Sequence, residues 1–258
     1  MSQNTSPVSR FLKSARKALS SQDFDPGLLG LVVNYSYHSR RALLGFVRSA
    51  ADEVNGVVLD VGCGSKPYQD LFNHSGYFGI DIENPGHSHE DEEIDIYYDG
   101  SALPFADESI DSVVCFEVME HVQNLPAFMA EIHRVLKPGG RYLATMPFLC
   151  GEHEQPNDYR RFTRFGIVGF LEENGFTVSR NEQLVQGWPA ITSQINIMFA
   201  LWWRGQTNMP LKALMWLIGR VPVTIMNVLG LILGLWRSNG DMYLHNAIVA
   251  QKPLDRTT

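Results

Sequence analysis

Cysteine is scarce in this sequence. The 258 residues include only three cysteines, Cys63, Cys115 and Cys150. An odd number of cysteines, each in or beside an apolar run, is not the pattern of a disulfide framework or of a cysteine-ligated zinc site. We therefore expect a protein of a reducing compartment that has no metal site.

Positive charge is also in short supply. Lysine and arginine together number 21 against 28 acidic residues, a formal net charge of −7. Proteins that bind nucleic acid through its phosphates carry the opposite balance, so the composition argues against a nucleic-acid partner. The N-terminus is basic but lacks the apolar core and cleavage site of a signal peptide, which favours a cytoplasmic location.

Acidic residues are almost absent from residues 184–241, where Asp241 is the only one. The same segment contains all five tryptophans and four basic residues. Its apolar stretches predict helices over 190–203, 211–220 and 224–236. The longest uncharged runs, 188–203 and 221–236, have 16 residues each and would span about 24 Å as helices, short of the ~30 Å hydrocarbon core of a bilayer.

Three interpretations of this segment stay open. It inserts into a membrane surface, it packs on protein as a helical subdomain or a homodimer interface, or it crosses the membrane as a hairpin. Tryptophan favours the headgroup level of a bilayer, and lysine and arginine favour anionic lipid. The combination therefore makes peripheral contact with the inner face of the membrane a specific expectation, to which a basic amphipathic helix over 10–21 adds.

Strands and helices alternate along the rest of the chain. Apolar runs predict strands over 56–62, 77–82, 94–100, 111–118, 141–148, 176–184 and 243–252, with helices over 125–136 and 163–175 among them. This alternation predicts an α/β fold, a doubly wound Rossmann-like sheet of seven strands with a helical apolar insertion between the last two. The predicted divisions are a helical extension over 1–50, the sheet domain over 51–183 and 242–258, and the insertion over 184–241.

The stretch "VVLDVGCGSKPYQDLF" contains the sharpest turn signal in the chain. Asp60 ends the first predicted strand, and Gly62 and Gly64 follow. Glycine lets the backbone turn tightly and approach a ligand, because no Cβ intervenes. Doubly wound sheets bind ligands at the carboxyl ends of their strands, so this turn predicts a ligand cradle. A tight turn with no ligand is the alternative.

Two further acids follow the next two predicted strands. Asp81 ends the second strand, where a carboxylate can accept hydrogen bonds from both ribose hydroxyls of an adenosine. Asp99 ends the third strand and can accept from an adenine amino group, with Leu103 and Phe105 forming an apolar wall. One acid at each of three consecutive strand ends indicates a ligand that contains a nucleoside.

Four segments then resemble one family in their order and spacing. "VLDVGCGSKPY", "YFGIDIE", "DGSALPFADESIDSVVCFEVMEHV" and "EIHRVLKPGGRYLATMPF" resemble class I S-adenosylmethionine-dependent methyltransferases, over about residues 55–182. The later stretch "HEQPNDYRRFT" resembles a signature of a branch that is often tied to cell-surface polysaccharide or lipid-linked sugar metabolism.

The resemblance implies S-adenosyl-L-methionine as the cofactor and assigns residues to its parts. The implied cofactor-binding residues are Asp60, Gly62, Cys63 and Gly64 at the methionine part, Asp81 and Ile82 at the ribose, Asp99, Gly100 and Ser101 at the adenine, and Glu117 beside the sulfonium. Lys66 departs from the family pattern, which often has glycine there. Its side chain either reaches the cofactor carboxylate or is solvated, and we expect the second.

Methyl transfer to a hydroxyl benefits from a general base, and histidine is the usual choice near neutral pH. His121 follows the fourth strand, and His153 follows the fifth in a polar loop with Asp158; these three are the candidate catalytic residues. Tyr159 and Arg161 of the same loop are predicted to bind substrate. The alternative is that the histidines are structural and the arginines form ion pairs with nearby acids.

The sequence thus predicts an enzyme that O-methylates a sugar or a lipid-linked small molecule in cell-surface glycan or lipid metabolism. Two alternatives stay open: methylation of a quinone or another apolar small molecule, and a non-catalytic, membrane-anchored binding subunit. The acidic, histidine-containing run at 87–93 is interpreted as a solvated loop rather than a metal site.

Overall fold

The computed structural model describes residues 19, 21–82, 93–205, 207, 218–236 and 240–254. They fall into two compact units: a helical unit from residues 1–44 and 185–242, and a sheet unit from residues 45–184 and 243–258. The domain boundaries predicted from the sequence stay predictions. The amphipathic helix at 10–21, the acidic run at 87–93 and the insertion helix at 211–220 lie wholly or mostly outside the described residues.

The elements have the following bounds. The strands are β1 Asn55–Val61, β2 Asn73–Ile82, β3 Ile96–Tyr98, β4 Ile110–Phe116, β5 Leu136–Pro147, β6 Thr177–Gln186 and β7 Tyr243–Gln251. The α-helices are α1 Gly30–Val33, α2 Tyr37–Ala50, α3 Leu125–Val135, α4 Arg164–Glu173, α5 Trp188–Arg204 and α6 Arg220–Leu233. Short 3₁₀ turns occupy Ser21–Asp23, Ala51–Glu53, Gln69–Leu71 and Met119–His121.

The seven strands form one sheet in the order β3-β2-β1-β4-β5-β7-β6. β1 pairs in parallel with β2 and β4, β4 pairs in parallel with β5, and β7 is antiparallel to β5. The order reverses between β1 and β4, whose carboxyl ends frame the crevice in which such sheets bind ligands. The predicted doubly wound, seven-stranded α/β fold is confirmed.

The central strands form because their apolar residues are buried on both faces of the sheet. Val58 and Leu59 of β1 and Val113 and Val114 of β4 have no exposed surface. Full burial of such a side chain contributes about 1.5–3 kcal/mol, so these two strands are the rigid frame on which the crevice is built.

The β5 strand begins earlier than predicted. The sequence "KPGG" was expected to be a loop after helix α3, but β5 starts at Leu136 and includes these residues. The Gly139 amide donates to Lys252 O at 2.9 Å, and the Gly140 carbonyl accepts from Lys252 N at 3.0 Å. The residues that were expected to end the helix and form a loop are therefore paired with Lys252, just beyond the end of β7. They form an irregular start of β5.

The helical unit contains a buried network of polar side chains. Asn196 of α5 and Asn227 of α6 have no exposed surface, and Asn196 Nδ2 donates to Asn227 Oδ1 at 2.9 Å. Asn227 Nδ2 in turn donates to the carbonyls of Leu31 and Asn34 at 2.9 and 3.0 Å, and Asn227 O accepts from His38 Nε2 at 3.1 Å. This hydrogen-bonded network lies beside buried apolar side chains of the same unit, among them Leu43 and Val223.

The outward sides of α5 and α6 are apolar. We call this the apolar outer face; it consists of Ile195, Met198, Phe199 and Trp202 on α5 and Val221, Ile225, Val228 and Ile232 on α6, all of them exposed. The spacing of three and four residues places each set along one side of its helix. Across the described ranges, no helix combines the length and the hydropathy that crossing a membrane requires.

Candidate functional site

The turn after β1 is fixed by glycine geometry. Gly62 has φ +73°, a conformation that L side chains rarely adopt. The amides of Gly62 and Cys63 donate to Ile80 O at 2.9 and 3.2 Å, which ties the turn to the end of β2. A Cβ at position 62 would overlap with Val118 Cγ2, whereas a Cβ at Gly64 would meet no described atom within 4 Å. The turn is thus packed beneath Gly62 and open over Gly64.

Lys66 does not have the solvated side chain that was predicted. Its Nζ lies 2.6 Å from Asp95 Oδ2, and its side chain is 9% exposed. Asp95 also accepts from the Gly79 amide at 2.7 Å. Lys66 therefore links the ligand turn to the segment before β3, a contact across 29 residues that local sequence does not reveal.

The three acids predicted at strand ends occupy different environments. Asp60 is 4% exposed and accepts from Tyr77 Oη at 2.6 Å. Asp81 is half-buried and faces the glycine turn, since Gly64 N donates to its Oδ2 at 3.4 Å. Asp99 is exposed and accepts from the Ser101 amide at 2.9 Å and hydroxyl at 2.5 Å. Their assignment to cofactor binding stays a prediction.

Burial has the largest effect on Asp60. It raises the pKa of this carboxyl to about 7, although the Tyr77 hydroxyl acts in the opposite direction. At Asp99 the Ser101 hydroxyl, followed by the Ser101 amide, lowers the pKa. Near neutral pH the Asp60 carboxyl is thus partly protonated, whereas the Asp99 carboxylate is ionised. Asp99 is therefore the better hydrogen-bond acceptor for a ligand.

The raised pKa of Asp60 makes stability depend on pH. Folding favours the protonated carboxyl, so this group's contribution is greatest below about pH 4, declines as pH rises, and is lost above about pH 7. Asp60→Asn keeps the shape without the charge. We expect the stability of the variant relative to wild type to grow by roughly 3–4 kcal/mol between pH 4 and pH 8. Urea unfolding of both proteins at each pH measures the difference in their free energies of unfolding. A difference that does not change with pH would contradict the prediction.

Glu117 lies at the carboxyl end of β4 with φ +56°. Its amide donates to Thr145 O at 3.0 Å, and its Oε2 lies 2.9 Å from Nδ1 of His245 at the start of β7. His245 was not among the predicted site residues. A histidine inside the otherwise apolar run "YLHNAIVAQ" was the available signal, because a polar residue in a buried strand needs a partner.

The two candidate bases lie together. His121 Nε2 is 3.2 Å from His153 Nε2, and both lie near Glu120 Oε1, at 3.6 and 3.8 Å respectively. Glu120 is fully buried, and burial together with the charge of Glu117 raises its pKa well above the usual range. Sequence analysis did not select Glu120, because nothing in "VMEHV" separates a buried acid from a solvated one.

The loop over 151–161 is organised by Asp158. Its oxygens accept from Arg161 at 2.5 and 2.7 Å and from the His153 amide at 2.9 Å. The Arg161 hydrogen bond, the largest cause, lowers the pKa of Asp158 to about 2. Asp158 and Arg161 therefore hold His153 in position, and roles in catalysis and substrate binding stay predictions for them.

Two further residues of this loop, Arg160 and Tyr159, have different environments: Arg160 anchors the loop, and the Tyr159 ring is exposed. Arg160 donates to the carbonyls of Met119, Val122 and Gln123, which fixes the loop to the 3₁₀ turn after β4. Tyr159 donates its amide to Glu120 O at 2.9 Å and leaves its ring exposed at the surface. An exposed tyrosine beside two histidines is suited to contact a ligand, and its assignment to substrate also stays a prediction.

A family model described as a methyltransferase domain matches residues 59–144. The chain is also 31% identical over 155 residues to a probable S-adenosylmethionine-dependent methyltransferase of Mycolicibacterium smegmatis, covering 55% of this chain and 60% of that protein. It is 44% identical over 65 residues to a demethylmenaquinone methyltransferase of Symbiobacterium thermophilum, covering 25% and 23%. The chain therefore spans less than two thirds of the length of either relative.

Among solved structures, phosphoethanolamine N-methyltransferase 2 of Haemonchus contortus, in complex with S-adenosyl-L-methionine, resembles this chain with a TM-score of 0.52. The two are 15% identical, and the match covers 98% of this chain and 61% of that one. At this identity the likeness shows a shared fold. The matched family model runs from within β1 to within β5 and includes the glycine turn and the three acids.

Proposed function

We propose that this chain is an S-adenosylmethionine-dependent enzyme that methylates a hydroxyl of a sugar or of a lipid-linked small molecule, in line with the methyltransferase-domain model that matches residues 59–144. The observation that supports the activity best is the glycine turn at the switch point, open over Gly64 and faced by Asp81. The sugar or lipid-linked acceptor rests on the resemblance of "HEQPNDYRRFT" to one branch of the family.

The residues at this edge fit S-adenosylmethionine. The open space over Gly64 admits a ligand close to the backbone, and Asp81 presents a carboxylate for two ribose hydroxyls. Ile82 is exposed and lies beside Gly100, where an apolar side chain can cover an adenine face. Glu117 ends β4 near the crevice. When bound, the cofactor supplies an activated methyl group, and the protein's task is to hold the acceptor in line with it.

The histidine pair is our candidate for the acceptor side. His121 and His153 follow β4 and β5, the strands next to β1 on the side away from β2. A histidine that takes the proton from a hydroxyl typically accelerates such a transfer by about 10²–10⁴-fold. Tyr159, exposed in the same loop, would contact the acceptor.

An apolar acceptor such as a quinone is the second candidate. One of the relatives named above is a demethylmenaquinone methyltransferase. The helical unit also contains a cavity of about 480 Å³ whose walls include Phe199, Trp203, Ile218 and Val223. A cavity of this size and lining suits a largely apolar molecule.

We further propose that the helical unit rests on the cytoplasmic face of a membrane. Its apolar outer face exposes eight apolar side chains, whereas a helix of a protein in water usually turns such a side toward the core. Exposed apolar patches of this kind mark interaction surfaces. Tryptophan at positions 188, 202 and 236 and the scarcity of acids favour lipid as the partner.

Cofactor binding tests the proposed activity. Asp81→Ala removes a charged acceptor of hydrogen bonds, which typically contributes about 1.5–3 kcal/mol. We expect the dissociation constant for S-adenosylmethionine, measured by calorimetry, to rise about 10- to 150-fold. Asp70→Ala, at an exposed acid of the same segment, is the matched control and should bind like wild type. Equal affinities of Asp81→Ala and wild type would reject the ribose assignment.

Labelled cofactor identifies the acceptor class. The protein is incubated with methyl-labelled S-adenosylmethionine and separated polysaccharide, polar-lipid and quinone extracts of bacterial cells. Label in the polysaccharide or lipid-linked sugar fraction supports the first proposal. Label confined to the quinone fraction selects the second candidate, and no transfer to any fraction counts against both.

A further inference from the structure

Three potential metal ligands converge at the carboxyl ends of β4 and β5. They are Glu120 and His121 on the 3₁₀ turn after β4 and His153 after β5, and one ligand atom of each lies within 4.8 Å of the other two. The two histidine Nε2 atoms are 3.2 Å apart, and the carboxylate oxygen Oε1 lies 3.6 and 3.8 Å from them.

The hydrogen bonds of the rings orient their lone pairs. His121 Nδ1 lies 2.7 Å from the Asn157 carbonyl, which can only accept, so this nitrogen carries the proton. His153 Nδ1 likewise faces two acceptors, Gly151 O at 3.3 Å and Asp158 Oδ2 at 3.4 Å. When both rings are neutral, their Nε2 atoms therefore present lone pairs to each other. At 3.2 Å these lone pairs repel unless a positive charge lies between them.

The third group, the Glu120 carboxylate, would also be stabilised by a positive charge. Glu120 is fully buried, and within the described part of the chain neither carboxylate oxygen has a hydrogen-bond donor. A buried carboxylate without a partner is costly, and a coordinated cation is one of the ways in which proteins compensate for it.

We propose that Glu120, His121 and His153 bind a divalent first-row transition-metal cation of the zinc type. A tetrahedral zinc ion with ligands at about 2.0–2.2 Å sets neighbouring ligand atoms about 3.3–3.6 Å apart, close to the three separations here of 3.2, 3.6 and 3.8 Å. Imidazole with carboxylate is a ligand set for this class of metal, and the partners of both Nδ1 atoms are those of typical metal-bound histidines. The proposal revises the sequence-based expectation that the protein has no metal site.

The site leaves one coordination position for another ligand. Three protein ligands complete all but one position of a tetrahedral ion, which is the arrangement of catalytic rather than structural zinc. Glu154 Oε2 lies 3.9 Å from His121 Nε2 and could approach this position. A hydroxyl bound there would ionise more readily, and with metal bound this effect would replace proton transfer to a histidine, because both histidines are then ligands. That last consequence rests on the proposed function, whereas cation binding itself does not.

Zinc binding by the whole chain tests the proposal. Protein treated with a chelator and dialysed is titrated with Zn²⁺ in competition with a chromophoric chelator. We expect one tight equivalent for wild type and at least about 100-fold weaker binding for His121→Ala, His153→Ala and Glu120→Gln. His74→Ala, at a histidine near the start of β2, is the matched control and should bind as wild type does.

Two results would overturn the proposed site, and a third would overturn the proposed class of metal. No tight zinc binding by wild type, or equally tight binding by all three variants, would overturn the site. Binding of Mg²⁺ in place of Zn²⁺ would overturn the metal class. Thermal unfolding gives a second readout, since Zn²⁺ should raise the midpoint of wild type and of His74→Ala but not that of His153→Ala. None of these measurements depends on methyl transfer, so they stand even if the proposed function fails.

Discussion

Gly62→Ala should lower the free energy of unfolding of the protein by about 2–5 kcal/mol, as two costs add. The residue has φ +73°, and a non-glycine residue held in that region loses about 1–2 kcal/mol. The new Cβ would also overlap with Val118 Cγ2, and forcing extra atoms into a packed site costs about 1–3 kcal/mol. Urea unfolding without cofactor measures the sum.

Two matched variants separate these costs. Gly64→Ala places a side chain at φ +48° with no described atom within 4 Å of its Cβ, so it should lose only the conformational part. Val118→Ala in the Gly62→Ala background should recover the steric part, seen as a coupling energy in a double-mutant cycle. Equal losses at positions 62 and 64, with no coupling to Val118, would show that the turn relaxes and is not packed as described.

The sheet was predictable because its signal is local. Parallel strands buried on both faces are continuous apolar runs, and the runs ending at Asp60, Asp81 and Asp99 all form strands that end at or next to these acids. The start of β5 was not predictable, since two glycines after a helix normally mark a loop. The pairing of Gly139 and Gly140 with Lys252, more than 100 residues later, and of Leu136 with Ile110 of β4 makes that segment part of the strand.

The candidate site was also only partly predictable from the sequence, because it depends on contacts between distant residues. Sequence order placed His121 and His153 after neighbouring strands, but as rival bases rather than as one cluster. The distance of 3.2 Å between their Nε2 atoms depends on how the loop over 151–161 folds back. Asp158 fixes that path from within the loop, and Arg160 fixes it through the turn after β4. The burial of Glu120 and the pairing of Glu117 with His245 likewise require the folded chain.

The second prediction with a large effect concerns binding of the apolar outer face to lipid vesicles. We expect the whole chain to sediment with vesicles that contain anionic lipid, because apolar side chains on α5 and α6 can enter the boundary between headgroups and acyl chains. Burial of one such side chain contributes about 1.5–3 kcal/mol. Losing two of them should therefore lower the partition coefficient by more than about 100-fold.

The test is a double variant, Met198→Glu with Ile232→Glu, compared with Phe165→Glu. Met198 and Ile232 are 69% and 54% exposed on the apolar outer face, so the fold should tolerate glutamate at both positions. Phe165 is 73% exposed on α4 of the sheet unit and serves as the matched control. The double variant should stay in the supernatant while the control sediments with the vesicles as wild type does. If wild type itself stays in the supernatant, or if all three proteins sediment equally, the face contacts protein rather than lipid. The membrane proposal would then be wrong.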